Sequence, residues 1–234
     1  MSKKDDLRKQ RAGTIINVIS NVQEKELNVA IERIVIALKD KFPSIELRFE
    51  RQWFLRDVVD LLRKKFPEVD FMYYHQNSSM KPDGGILSIC GNDGQTFPIL
   101  ITEKKNQGTN DIRALEGKSK QAKGNAIERL GKNVIGFRAA LLHEAIFPFV
   151  CFGDGCDFSD DSSILDRVVT IAMFGKLNHE YLHDIDGKFN RGSFYFRVER
   201  WTADEMFEIG LAIATKSVFY YYSKYGEESF QNLS

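Results

Sequence analysis

The sequence feature that most constrains the fold is a switch from helical to strand-like spacing of apolar residues at residues 86–102. Residues 86–90 form a short apolar run, and residues 96–102 form a second run that is rich in β-forming side chains. The segment between the runs, Gly91-Asn92-Asp93-Gly94, has the composition of a tight turn. Two runs joined in this way predict a β-hairpin.

Helical spacing of apolar residues dominates on both sides of this hairpin. It predicts one long or two shorter helices over residues 13–41, stopped by Pro43, and further helices over residues 53–65, 121–143 and 203–222. Residues 146–152 and 194–198 are predicted as buried strands. Helices before and after a central sheet predict an α/β fold, with a central mixed β-sheet flanked by α-helices. Because no repeat or linker interrupts the pattern, we expect residues 1–234 to form a single domain.

The chain lacks the marks of a membrane or secreted protein. Its longest apolar runs are far shorter than the roughly 20 residues that span a bilayer, and its charged start is followed by no apolar signal segment. The spacing of Cys90, Cys151 and Cys156 suggests neither a disulfide framework nor a zinc cage. We expect a cytoplasmic protein with reduced thiols.

Charge is balanced over the whole chain but unevenly distributed. The 33 basic and 33 acidic residues cancel, whereas residues 104–132 hold eight basic and three acidic residues. Such a strip indicates a polyanion site or a solvated helix face. An acid-rich segment follows at Asp154, Asp157, Asp160 and Asp161; its spacing does not fit an EF-hand, so a solvated loop is predicted.

Two acids and a lysine are predicted to meet at one end of the hairpin. Asp83 precedes the first strand, and Glu103 and Lys105 end the second. Side chains alternate along a strand, so Glu103 and Lys105 point to the same side, which the hairpin brings back near Asp83. Two close carboxylates suit Mg²⁺, and Lys105 could orient an attacking water and offset the charge of a pentacovalent transition state. Ordinary surface charges would give the same pattern.

Several segments carry a resemblance to a known family. Residues 77–86 contain Pro82-Asp83-Gly84-Gly85, residues 103–108 begin Glu-Lys-Lys, and residues 124–129 read Gly-Asn-Ala-Ile-Glu-Arg, followed by Lys132-Asn133. Weaker echoes occur, in the same order as in the family, at residues 147–150, 165–167, 201 and 206–209. The chain resembles the EcoRI family of type II restriction endonucleases, members of the PD-(D/E)xK nuclease superfamily, over nearly its whole length.

The resemblance implies roles for individual residues. Asp83 and Glu103 would hold the metal ion, and Lys105 would assist the attack. Base pairs would be read by Asn125, Ala126, Arg129 and Arg167; Asn suits adenine, and Arg suits purine acceptors in the major groove. The DNA backbone would be contacted, or the reading residues supported, by Asn77, Lys81, Lys118, Glu128 and Lys132.

The resemblance also implies a reaction. It predicts Mg²⁺-dependent hydrolysis of double-stranded DNA at a palindrome with an AATT centre, leaving 5′ overhangs. A homodimer with one active site per subunit fits such a palindrome, and a DNA methyltransferase is the expected partner in the same system. The family reads the outer base pair with an Arg-Leu-Asp-Arg motif that is Ile164-Leu165-Asp166-Arg167 here. GAATTC, a degenerate outer pair and plain AATT therefore all remain open.

Three alternatives compete with this interpretation. His179, Glu180 and His183 match the H-E-x-x-H pattern of zinc proteases, but the segment between Gly175 and Asp186-Gly187 is short for a helical metal platform. A DNA-binding protein that has lost cleavage would have no reason to keep the two acids and the lysine together. A structure-specific nuclease on the same core would need no base-reading cluster.

Overall fold

The computed structural model describes residues 15–106, 115, 117–118, 125–159, 162–171, 176–184 and 191–231. The helices are α1 (Ile15–Lys41), α2 (Leu55–Lys65), α3 (Asn125–Ala140), α4 (Ser163–Ile171) and α5 (Ala203–Tyr225). The strands are β1 (Leu47–Glu50), β2 (Trp53–Phe54), β3 (Ser79–Met80), β4 (Ile86–Cys90), β5 (Thr96–Asn106), β6 (Phe149–Asp154) and β7 (Ser193–Arg197). Short 3₁₀ turns cover Cys156–Phe158 and Glu227–Phe230.

A mixed sheet forms the centre of the described part of the molecule, with strands in the order β1-β4-β5-β6-β7. The pairs β1–β4 and β4–β5 are antiparallel, whereas β5–β6 and β6–β7 are parallel. Strands β2 and β3 form a separate two-stranded sheet. The expected α/β class, a central mixed sheet flanked by helices, is confirmed.

Helices cover both faces of this sheet. On one face, α1 and α5 supply Leu27, Ile34 and Ile213, which pack with Val150 and Phe152 of β6. On the other face, α3 supplies apolar side chains that pack with Ile101 of β5 and with Phe149 and Cys151 of β6; they are Leu130, Val134 and Phe137. The alternation along β6 follows from the two-residue period of a strand, so neighbouring positions belong to opposite faces.

The predicted β4–β5 hairpin and the long first helix are confirmed, but some boundaries differ. Trp53 and Phe54 pair with β3 instead of starting the second helix. The strand predicted over residues 146–152 is β6, shifted toward Asp154, and Ile146 forms an isolated bridge with His183. Strand β1 and helix α4 were not predicted, because four and nine residues are too few for a clear period.

The acid-rich segment is not the solvated loop that the sequence suggested. Asp154 ends β6 with 1% of its surface exposed, and Asp157 is also buried. Asp154 lies 3.5 Å from the Nζ atom of Lys104, a buried residue on the neighbouring strand. The charge pattern was misread because the sheet pairing turns this acid inward; Asp160 and Asp161 lie outside the described residues.

Two further observations concern the cysteines and the helices of the described ranges. Cys90, Cys151 and Cys156 are all in the thiol form. Among the helices of the described ranges, none combines the length and the apolar content needed to cross a bilayer.

A capping box fixes the start of α5. The Thr202 side chain accepts a hydrogen bond from the backbone N–H of Glu205, and the Glu205 carboxylate accepts one from the backbone N–H of Thr202. Arg197 of β7 also donates to Glu205 over 2.7 Å, and this hydrogen bond lowers the pKa of Glu205 to about 2. The cap therefore also ties α5 to the edge of the sheet.

We expect Thr202→Ala to lower the free energy of unfolding by about 1 kcal/mol, because the substitution removes the side-chain acceptor of the cap. Urea unfolding measures the change. The matched control is Thr170→Ala on α4, where an exposed threonine hydroxyl donates to the carbonyl of Asp166 within the same helix. Equal losses in the two variants would contradict a specific role for the cap.

Candidate active site

Two carboxylates meet at the open end of the β4–β5 hairpin. Asp83 lies in the loop before β4, and Glu103 lies near the end of β5. The backbone N–H of Asp83 donates to Oε2 of Glu103 over 3.1 Å, and the backbone N–H of Lys104 donates to Oδ2 of Asp83 over 3.3 Å. This reciprocal pair of hydrogen bonds holds together two acids that are 20 positions apart.

The Lys105 ammonium group lies between the two carboxylates. Its Nζ atom donates to Oδ2 of Asp83 over 3.2 Å and also to Oε1 of Glu103. Glu103 and Lys105 share a face of β5 because they are two residues apart in a strand. The structure therefore brings together the three residues that the sequence selected, Asp83, Glu103 and Lys105.

Gly84 and Gly85 allow the Asp83 loop to approach β5 closely. The backbone N–H of Gly84 donates to the carbonyl of Thr102 over 2.9 Å, and the N–H of Thr102 donates to the carbonyl of Gly85 over 3.2 Å. A Cβ atom on Gly84 would overlap Oγ1 of Thr102 and lie 2.9 Å from Leu27 of α1. Gly85 has a φ of +76°, which favours glycine.

The site is exposed on the side of Asp83 and buried on the side of Glu103. The Asp83 side chain keeps 46% of its surface exposed, against 2% for Glu103. Burial raises the pKa of Glu103; Lys105 opposes this rise, and the charge of Asp83 adds to it. Burial lowers the pKa of Lys105, but the attraction of Glu103 and Asp83 outweighs it, so this pKa is raised overall. The ammonium group stays charged where negative charge is concentrated.

A cleft of about 620 Å³ opens beside Asp83, between α1, β1 and the loop that carries the acid. Lys81 and Arg51 line it, and both side chains are exposed. Lysine and arginine side chains bind phosphate oxygens, so these two cations next to Asp83 suit a polyanion. Lys81 was a predicted backbone contact, whereas the sequence analysis missed Arg51 because nothing local connects β1 with the Asp83 loop.

The other predicted residues lie in several elements. Asn125, Ala126, Glu128 and Arg129 belong to the first turns of α3, and their side chains lie outside the described part of the structure. Lys132 is exposed on the same helix, and Arg167 is exposed on α4. Asn77 is exposed in the turn before β3, and Lys118 is half-buried. Among the predicted DNA contacts whose side chains the structure describes, Lys81 lines the cleft beside Asp83.

Asn133 is a further residue at the site that the sequence analysis assigned no role. Its Nδ2 group donates to Oε1 of Glu103 over 3.4 Å. It lies two turns into α3, on the side of the helix that carries the buried Leu130, Val134 and Phe137. Its position beside Lys132 in the sequence gave no sign that it turns inward toward β5.

The donor set of this site fits a small, hard cation. Asp83 and Glu103 offer carboxylate oxygens that already surround the ammonium group of Lys105. Within the described ranges, no group of three or more His, Cys, Asp or Glu side chains is placed to hold a metal ion. Mg²⁺ binds through one or two carboxylates and fills its remaining positions with water and phosphate oxygens, so this pair suffices for it.

The segment with the zinc-protease pattern does not form the helix that such chemistry requires. Residues 176–184 form a turn, a bend and irregular backbone with one isolated bridge, so His179 and His183 do not lie one turn apart on a helix. The carboxylate of Glu180 is paired with Lys216 of α5 at 2.8 Å, and His183 forms its bridge with Ile146. The pattern is a chance match.

Comparison with known proteins gives matches to one class of enzyme, the restriction endonucleases. The model of the family described as restriction endonuclease EcoRI matches residues 9–163, which include Asp83, Glu103, Lys105 and all of α3. The chain is 30% identical to the type II restriction enzyme RsrI of Cereibacter sphaeroides over 221 aligned positions, and the match covers 79% of each chain. It is also 30% identical to the type II restriction enzyme EcoRI of Escherichia coli over 139 aligned positions, and this match covers 56% of this chain and 50% of that enzyme.

We expect Gly84→Ala to lower the free energy of unfolding by about 1–3 kcal/mol, because the new methyl group overlaps Thr102 in a filled space. Urea unfolding of a double-mutant cycle with Thr102→Ala tests the cause. Removing the threonine hydroxyl should make the Gly84 substitution less costly. Equal costs in the two backgrounds would mean that the close approach of the loop to β5 is not what requires glycine.

Proposed function

Because this chain belongs to the EcoRI family of restriction endonucleases, we propose that it hydrolyses double-stranded DNA at a short palindrome with an AATT centre. Its relatives are type II restriction enzymes, and the chain is accordingly an endonuclease. The observation that carries the proposal is the convergence of Asp83, Glu103 and Lys105 at one end of the central hairpin. We also propose that residues 1–234 act as one endonuclease domain.

Asp83 and Glu103 would hold a Mg²⁺ ion. Restriction endonucleases typically need a divalent metal ion, and two carboxylates of this chain lie within reach of one common cation. The bound ion would polarise the phosphodiester and make water a better nucleophile. The buried Glu103 supplies a fixed oxygen, whereas the exposed Asp83 faces the cleft from which DNA would enter.

Lys105 would act on the attacking water and on the charge of the transition state. Its ammonium group is held by both carboxylates and stays protonated, since its pKa is raised. A fixed positive charge next to the reacting phosphate offsets the negative charge that develops there. Lys81 and Arg51, at the cleft beside Asp83, would position the DNA backbone.

The first turns of α3 would read the central base pairs. Asn125, Ala126 and Arg129 belong to this segment, with Glu128 in support. Asparagine and arginine at the start of a helix suit the major groove, where adenine offers a donor and an acceptor to asparagine. Arg167 on α4 would contribute to the outer base pair. Asn77, Lys118 and Lys132 would contact or support the DNA backbone, and the cut would leave 5′ overhangs.

We propose that the active form is a homodimer. A twofold dimer presents two copies of the Asp83 site to the two strands of a palindrome, so each strand is cut once. The host would need a DNA methyltransferase of the same specificity to protect its own sites.

Digestion of a plasmid with mapped AATT sites tests this function. We expect discrete fragments with Mg²⁺ and intact plasmid with EDTA, because the two carboxylates need a divalent ion to act. Sequencing the fragment ends gives the outer base pair and the overhang. Intact DNA in Mg²⁺ would favour a binding-only protein, and a random smear would favour a nuclease without base reading.

We expect Glu103→Ala to reduce the cleavage rate by more than about a hundredfold, since losing even an outer partner of a metal ligand costs roughly 10–100-fold. Binding to the site-containing duplex should be retained or tighter, because one carboxylate fewer repels the phosphates. Single-turnover cleavage and fluorescence anisotropy measure the two effects.

The matched control for this substitution is Glu68→Ala, which removes an exposed carboxylate after α2. It should cut at the parental rate. Parental cleavage by Glu103→Ala would rule out Glu103 as a metal ligand.

A further inference from the structure

Asn133 links the helix that carries the proposed base-reading segment to a proposed metal ligand. Its Nδ2 group donates to Oε1 of Glu103, the same oxygen that accepts from Lys105. The contact joins α3 to β5 across 30 positions of sequence. The hydrogen bonds of the proposed catalytic site therefore include a side chain of this helix.

Asn133 is a polar residue in a stripe of α3 that otherwise packs as core. Leu130, Val134 and Phe137 have no exposed surface, and they contact apolar side chains of the sheet. Asn133 lies on the same side of the helix and is half-buried. A half-buried amide without hydrogen-bond partners destabilises the folded protein. In this structure the Asn133 amide donates to Glu103.

The Glu103 carboxylate has several donors, and each acts on a defined oxygen. Oε2 accepts from the backbone N–H of Asp83, while Oε1 accepts from Lys105 and Asn133. A metal ion that binds Glu103 competes with Lys105 for this carboxylate. The amide of Asn133 is uncharged, so it can keep one oxygen in place while the other partners rearrange.

We propose that Asn133 is a positioning residue that fixes the Glu103 carboxylate for metal binding. Through this contact, the orientation of the carboxylate depends on the position of α3 on the sheet. This inference rests on the proposed function, because it assigns Asn133 a part in the same site. A shift of α3 on binding a wrong base sequence would move the amide away from Glu103. Cleavage would then depend on the position of α3 relative to β5.

The test compares Asn133→Ala with the parental protein and with Asn92→Ala. Asn92 lies at the turn end of the same hairpin and also donates from Nδ2, to the carbonyl of Glu228 over 2.8 Å. The control thus loses an equivalent amide far from Glu103. Three quantities are measured: the single-turnover cleavage rate over a Mg²⁺ series, the calorimetric affinity of the protein for Ca²⁺, and binding of the site-containing duplex without metal.

We expect Asn133→Ala to cut about 10–100-fold more slowly at low Mg²⁺ and to bind Ca²⁺ more weakly, as found when a partner of a metal ligand is removed. Binding of duplex without metal and the unfolding temperature should match those of Asn92→Ala. Asn133→Gln, which keeps the amide, should recover part of the Mg²⁺ response even if the alanine variant folds poorly.

Two results would overturn the inference. One is a parental response of Asn133→Ala to both metal ions. The other is weaker binding of the duplex without metal together with an unchanged metal response, which would make Asn133 a DNA contact instead. A parental protein that cuts no DNA would refute the proposed function, and the Ca²⁺ affinities would still decide the role of Asn133.

Discussion

The end of the central strand β5 carries three charged residues in succession, and each must be compensated where water is largely excluded. Glu103 and Lys104 are buried, with 1% and 8% of their surface exposed, and Lys105 is mostly buried. Removing one partner of a buried ion pair costs about 3–5 kcal/mol. Because side chains alternate along a strand, Lys104 pairs with Asp154 on one face of the sheet, whereas Glu103 and Lys105 pair on the other. On each face of the sheet, the buried charges at the end of β5 are therefore paired with an opposite charge.

The same constraint explains why the loop before β4 contains two adjacent glycines. A second carboxylate close to Glu103 is unfavourable unless its approach is held by hydrogen bonds and a nearby cation. The reciprocal bonds between Asp83 and Glu103 require the loop to lie against β5, and Gly84 leaves room for this beside Thr102. The two carboxylates retain mutual repulsion that Lys105 relieves in part. We infer that a divalent ion would relieve more of it.

Local features of the sequence were enough to predict the hairpin and the meeting of Asp83, Glu103 and Lys105. The turn and the strand period act over a few residues, so they could be followed along the chain. Contacts made by packing of distant elements could not be predicted in this way. The amide of Asn133 reaches Glu103 only because α3 lies on the sheet, and Asp154 is buried only because β6 pairs with β5. The residues proposed to read bases came from the resemblance alone, since no local pattern distinguishes them from a solvated helix face.

Helix α3 lies between β5 and β6 in the chain, and its position brings the proposed recognition segment near the proposed metal ligands. Parallel strands need a crossover, and a helix in the crossover runs back from the carboxyl end of the first strand. Glu103 and Lys105 lie at that end of β5, and Asn133, two turns into α3, contacts Glu103 there, so the start of α3 lies at the same edge of the sheet. Ligands of open α/β sheets bind at this edge. The start of α3, which we propose reads bases, therefore lies at the same edge of the sheet as the two carboxylates proposed to hold the metal ion.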